Sequence, residues 1–370
     1  MVVEAHGGSG TAAGLLGACL TAPHLVGPFT ARRIDLASDG RRTIAGACLL
    51  FAAVFTLGVL TYPHVPLPVT GLLLAAAGAC GPLLTGGISS RLPALTGPGP
   101  RSLRRAQGWD VATYSIGGTA GPSLVAAVSG RTSPAVAALA PTGCVVVAAG
   151  AVLLIPYAPP AHGGRAAAVP GPGPTLALMV RVGPLRRTLY PTTVVALVLA
   201  VLPVTAIHMT PGLGVGHSMA AVLTAAYGLG GLAGSLGVMA SPLTGSPDRL
   251  QPRLAVVVAA GLMAAAVSPT FGSAVAAYAL TGVVNAYFFA ATLAARTEYA
   301  PPEARGQVFI WVAALKITSA PAGTALAGAL AGANARLPLF LALGAVTAAV
   351  TSAALESRGE AKQRPRGGSS

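Results

Sequence analysis

The chain reads as an all-α membrane protein, and two features predict this class: a shortage of charge and a series of long apolar runs. Of its 370 residues, 54% are hydrophobic and 9% are charged, and the mean hydropathy is +0.72. Soluble domains carry about 25% charged residues, so this surface is composed for lipid rather than water. The apolar runs are about twenty residues long, which fits a hydrocarbon core about 30 Å thick. Inside lipid the backbone must satisfy its own hydrogen bonds, so helices or closed barrels are required. Barrel strands are short and alternate apolar with polar residues. These runs are long and continuous, and that selects helices.

Eleven spans follow in order, at about 11–30, 43–62, 68–90, 108–129, 133–156, 188–208, 217–240, 254–270, 272–295, 307–331 and 337–356. The Pro/Gly-rich stretch 157–187 separates five spans from six and reads as a flexible connector between two bundles. The organisation is therefore an N-terminal bundle over 1–156, the connector, a C-terminal bundle over 188–356 and a tail over 357–370.

Arginines punctuate alternate loops. Arg32, Arg33, Arg41 and Arg42 follow the first span, and Arg91, Arg101, Arg104 and Arg105 lie around the start of the fourth. Arg165, Arg181, Arg186 and Arg187 sit in the connector, then Arg249, Arg253, Arg296 and Arg305 in later loops, and Arg358, Lys362, Arg364 and Arg366 in the tail. Only Arg131 and Arg336 fall on the opposite face. The positive-inside rule places the rich side, with the C-terminus, in the cytoplasm of a cell in whose plasma membrane the chain lies. The net charge of +14 is thus a topology signal and implies no nucleic-acid partner. Arginine outnumbers lysine 21 to 2, which hints at a GC-rich bacterial genome. Cys19, Cys48, Cys80 and Cys144 fall inside spans without C-x-x-C spacing and read as packing residues.

An odd number of spans places "MVVEAHGGSG" outside and leaves the first half one helix short. The expectation is a helix encoded ahead of Met1; a true eleven-span protein is the alternative. The opening ten residues have no basic region, which argues against a signal peptide.

The fourth span holds "GWDVATYSIGGTAGPSLVA", in which Gly108, Gly117, Gly121 and Pro122 follow a G-x8-G-x3-G-P spacing. This resembles the antiporter motif of the major facilitator superfamily, with Val125 and Ala126 replacing its final glycine pair. The loop "GPFTARRIDLASDGRR" is similar to that superfamily's G-x-x-x-D-R-x-G-R-R loop through Gly27, Arg32, Gly40, Arg41 and Arg42. Ala31 occupies the acidic position and the middle is too long, so Asp35 or Asp39 would have to stand in. Arg305 and Gln307, in "RTEYAPPEARGQ", echo Arg105 and Gln107 of the first half. The resemblance implies a drug-efflux-like transporter that exports a small amphipathic molecule by alternating access, with a nutrient uptake permease or a transport-inactive, truncated membrane scaffold as the alternatives. It makes spans 11–30, 108–129, 217–240 and 307–331 the helices that line the contact between halves. Those spans carry Pro23, Pro28, Pro122, Pro321 and the glycines from Gly228 to Gly237, and small residues suit helices that slide closely.

Other chemistry is absent from the pattern. "GLGGLA" at Gly228 matches a dinucleotide pattern with Asp248 twenty residues on, but it lies mid-span, with no strand before it. There is no Walker A lysine, no metal-ligand cluster and no nucleophile–base pair, so no cofactor is implied and an enzyme is disfavoured.

Four polar residues in or beside spans are the pathway candidates: Asp110, His24, Asn285 and Lys316. Asp110 is either an acid at a helix N-terminus or a proton relay. His24 is a satisfied core residue or a pathway residue, and Asn285 bonds across helices or touches substrate. His208 and His217 belong at the outer mouth. Proton coupling usually uses an embedded carboxylate, and none stands out, so coupling to protons is implied by the resemblance alone. Lys316 lies nine residues past Gln307, about 13 Å along a helix at 1.5 Å per residue, and close to the midplane. A central lysine costs at least about 2.5 kcal/mol on insertion scales, so it faces protein or water. Either it bonds carbonyls freed by Pro321, or it lines a cavity and attracts anionic or polar groups of a small molecule.

The sidedness is testable. Single cysteines placed in 157–187 should label only from the cytoplasm, and those at 63–67 only from outside; labelling from the opposite sides would overturn the topology.

Overall fold

The computed structural model describes residues 2–7, 9–29, 37–62, 64–96, 99–129, 131–157 and 170–363. Their helices are α1 (Val2–Ala5), α2 (Gly10–Thr21), α3 (Gly40–Thr61), α4 (Leu67–Ser89), α5 (Leu92–Leu95), α6 (Pro100–Ser129) and α7 (Pro134–Leu154). After the connector come α8 (Pro172–Arg181), α9 (Gly183–Leu199), α10 (Leu202–Met209), α11 (Ala220–Ala240), α12 (Pro247–Ala266), α13 (Phe271–Tyr299), α14 (Arg305–Ala331) and α15 (Leu337–Gln363). Ten stretches among the described residues are long and apolar enough to cross a membrane. The eleventh expected span is α6, a single helix of 30 residues whose first turns carry Arg101, Arg104, Arg105 and Asp110.

The helix boundaries have local causes. Ser9, Asp39 and Ser133 each accept a hydrogen bond from a first-turn backbone N–H, of Ala12, Arg41 and Val136, satisfying a donor that has no partner within the helix. Proline occupies the first or second position of α4, α7, α9, α10 and α12, where its missing N–H has no consequence. Pro203 interrupts the sixth expected span, which becomes α9 and α10. The connector differs from the flexible reading: its residues 172–181 are helical, and Met179 is 1% exposed. An apolar "TLALMV" face behind Pro172 suits a packed helix rather than a tether.

Two compact units result. The first comprises Met1–Leu103, Ile116–Leu176 and Ala300–Thr318; the second comprises Arg104–Ser115, Ala177–Tyr299 and Ser319–Ser370. In the first unit Ile44, Cys48, Cys80, Leu83, Ala149, Val152 and Ile310 form a core. Cys48 and Cys80 pack as expected, whereas Cys144 is exposed on the outer face of α7. The second unit is built around Val195, Leu223, Leu262, Tyr278 and Leu339. The Tyr278 hydroxyl donates to the Leu202 carbonyl at 3.1 Å, at the break between α9 and α10, so even this buried polar atom has a partner.

The second unit is closed by backbone-to-backbone approach of α11 and α13. A Cβ built on Gly230 would fall on the Ala279 carbonyl oxygen, one on Gly234 on that of Val283, and one on Gly282 on that of Tyr227. Lipid supplies no hydrophobic drive between helices, so contact of this closeness does the work. In the first unit a Cβ on Gly78 would meet the Leu20 carbonyl, and Gly81 lies under the ring of His24.

Gly230→Ala should therefore destabilise the protein by about 1–3 kcal/mol, read as a fall in unfolding temperature in detergent. Gly328→Ala, where an added Cβ meets nothing within 4 Å, should leave that temperature unchanged.

Candidate functional site

Three helices divide themselves between the units: the short α8, which leaves the first unit after Leu176, and the long α6 and α14. The start of α6, Arg104–Ser115, belongs to the second unit and its remainder to the first; α14 does the reverse, leaving the first unit after Thr318. Lys316 is half-buried on α14, two residues before that handover, and α14 continues unbroken through Pro321. Two residues past Pro321, a Cβ on Gly323 would fall on the Leu197 carbonyl of α9, so this half of α14 is held closely in the second unit.

The start of α6 is fastened by polar groups at the arginine-rich end of the second unit. Arg105 Nε donates to the Met239 carbonyl at 3.2 Å, in the last turn of α11, where carbonyls lack helical partners and the dipole is negative. Arg104 donates to the Gly245 carbonyl at 3.3 Å and lies 3.7 Å from the Glu298 carboxylate. Gln107, 2% exposed, donates to Thr297 Oγ1 at 3.3 Å. Gly108 permits this seating, because a Cβ there would come 2.8 Å from the Met239 side chain. Asp110 follows, close enough to interact electrostatically with Arg296 of α13, which is 6% exposed.

The start of α14 is held in the first unit in a matching way. Gln307 is fully buried and donates to the Pro170 carbonyl, and Ile310 enters the first unit's core. Sequence comparison of the halves pairs Gln107 with Gln307; only the structure shows that both amides are buried at helix starts.

The loop before α3 supplies its own acid. Asp39 accepts from Arg41 Nε at 3.0 Å and pairs with Arg41 Nη2 at 2.9 Å, with Arg42 Nε at 3.7 Å. Arg41 Nη1 donates to the Ile155 carbonyl at 2.7 Å, at the end of α7. The same guanidinium sits 5.5 Å from the Tyr157 ring centre, and the Tyr157 hydroxyl donates to Ser38 O at 3.0 Å. Gly40 leaves room for Arg91, whose guanidinium occupies the space a Cβ would fill. The hydrogen bond from Arg41, aided by both arginine charges, holds the Asp39 carboxyl down at about 2. Arg32 and Asp35 lie outside the described residues.

The second unit repeats the device. Asp248, in the first turn of α12, accepts from the Tyr299 hydroxyl at 2.9 Å and lies 4.0 Å from Arg187. Sequence reading met Asp248 only through a false dinucleotide pattern. Its position just after Gly245 and Pro247, with Arg249 and Arg253 following, was the available signal.

The remaining candidates are dispersed. Asn285 Nδ2 donates to the Tyr227 hydroxyl at 2.9 Å, bonding α13 to α11. His24 is 8% exposed in a 3-10 segment, Ala22–Val26, and lies against Gly81. Gly27 packs on Pro82. Gly117 and Gly121 behave unlike Gly108, since a Cβ on either meets nothing within 4 Å. Pro122 lies within α6. His208 and His217 are exposed and bond the carbonyls of Val204 and Ile207.

Asp39's lowered value fixes a sign. Its contribution to stability is present above the ordinary carboxylate value near 4 and is lost as pH falls through the folded value of about 2. The difference in unfolding temperature between wild type and Asp39→Asn should be constant between about pH 5 and pH 8 and vanish towards pH 2.

No family model and no curated protein matches the sequence. Solved structures do match in shape. The E. coli fucose:proton symporter superposes with a TM-score of 0.67 at 16% identity, over 93% of this chain and 91% of its own. The human organic anion transporter MFSD10 gives 0.69 at 15% identity, over 92% and 83%. The proton:xylose symporter XylE gives 0.70 at 12% identity, over 93% and 86%. The chain has the major facilitator fold.

Proposed function

We propose that this protein is a secondary transporter that moves a small amphipathic molecule across the cell membrane by alternating access, with Lys316 in its substrate pathway. The observation that supports this most is a half-buried lysine near the middle of the long, otherwise mostly apolar α14. A cation held there costs stability, and embedded ionisable groups in such folds mark pathways. It would attract an anionic or polar group of that molecule. The solved organic anion transporter of the same fold is in keeping with that chemistry.

The glycine and proline spacing of α6, which resembles an antiporter motif, favours export, with protons as the exchanged ion. Uptake is the second reading, favoured by two similar structures being proton symporters. Asp110, His24 and Asn285 are assigned to the pathway or its coupling. Gly108, Gly117, Gly121, Pro122, Gly27, Arg32, Gly40, Arg41, Arg42 and Pro321 are assigned to the conformational change.

Everted membrane vesicles energised by a proton gradient test this with a panel of fluorescent organic anions and cations. Export predicts accumulation inside everted vesicles, and uptake predicts it only in right-side-out vesicles. Lys316→Met should insert and express normally yet lose accumulation by at least about tenfold, the effect of about 1.4 kcal/mol. Normal transport by that variant, or its failure to fold, removes Lys316 from the pathway.

A further inference from the structure

The connector is not merely a tether where it meets α14. Three polar contacts join residues 170–175 to the first two turns of that helix. Gln307 Nε2 donates to the Pro170 carbonyl. The Thr175 hydroxyl lies 3.2 Å from Gln307 Oε1 and 2.9 Å from the Gly171 carbonyl, sharing its one proton between them. Trp311 Nε1 donates to the Pro172 carbonyl at 3.1 Å. Gln307 and Thr175 are both fully buried.

These contacts engage both ends of the Gln307 amide. A buried amide left half-satisfied costs about 1–3 kcal/mol, so the strap and the helix start hold each other in one register. Gln307 and Trp311 are four residues apart, on one face of α14. Pro170 and Pro172 present carbonyls to that face while lacking N–H groups of their own. The start of α14 is also the segment that belongs to the first unit, whereas its remainder belongs to the second.

We propose that residues 170–175 form a releasable strap: docked on Gln307 and Trp311 they hold the start of α14 in place, and they must come off for that end of the helix to move during transport. The inference rests on the transport reading above and adds a regulatory role for the connector. Anything that binds the connector in its undocked form would then favour the opened state, because a ligand shifts an equilibrium only through its difference in affinity.

The chain's two tryptophans make the strap observable without a substrate. In a Trp109→Phe protein in lipid vesicles, Trp311 is the only tryptophan. Acrylamide quenching should resolve a shielded and an accessible population. Gln307→Ala should shift their ratio towards the accessible form by about fivefold, the equivalent of one or two lost hydrogen bonds. Thr175→Val should shift it in the same direction by less. A single shielded population unmoved by Gln307→Ala overturns the proposal. In a second arm, Thr175→Cys and Gln307→Cys are placed in a protein free of native cysteines and joined by a short thiol crosslinker. Transport in vesicles should fall to background and return when the linker is cleaved. Undiminished transport by the crosslinked protein also overturns the strap. If the uncrosslinked protein moves no compound in the panel, the transport reading fails, and the quenching arm still decides whether the strap releases.

Discussion

Close helix contact without a hydrophobic drive is the constraint on which this structure depends. In lipid an apolar side chain gains little by turning towards a neighbouring helix, so association relies on packing and on bonds between helices. The protein meets this with glycine. Gly230, Gly234 and Gly282 bring α11 and α13 together backbone to backbone, and Gly78 does the same for α2 and α4. Such surfaces hold without long interlocking side chains.

Polar groups are then concentrated at the arginine-rich ends, where each has a fixed task. Arg105 and Arg41 each reach the carbonyls that end another helix, at Met239 and Ile155. Asp39 and Asp248 each sit at the start of a helix and pair with an arginine. Gln107 and Gln307 bury an uncharged amide near the starts of α6 and α14, the two long helices that the units divide. Charge and amide contacts can be broken and remade singly, whereas the glycine seams cannot be opened without separating backbones.

The span pattern was legible because membrane thickness and backbone satisfaction leave few options. The expected spans fall on the observed helices, including α6, whose charged first turns lower its apolarity. Gly108 was legible as a contact glycine, but the same spacing also named Gly117 and Gly121, which meet nothing. Sequence spacing registers a helix face and not what lies opposite it. The loop acid was narrowed to two residues, and only geometry showed Asp39 bonded to Arg41. The helical part of the connector was hidden by the surrounding proline and glycine, because composition averages over a short apolar turn.

By itself the sequence determined the class and the order of the long apolar helices, since both depend on local composition and length. It also placed a lysine near the middle of α14, because helix rise converts residue number into distance along the axis. Tertiary structure alone decided which residues share a unit. It placed the handover of α6 at Ser115 and of α14 at Thr318, joined Asn285 to Tyr227, and brought Gln307 to a connector more than a hundred residues away. Those pairings join segments distant along the chain, and no local pattern encodes a partner that only folding brings within reach.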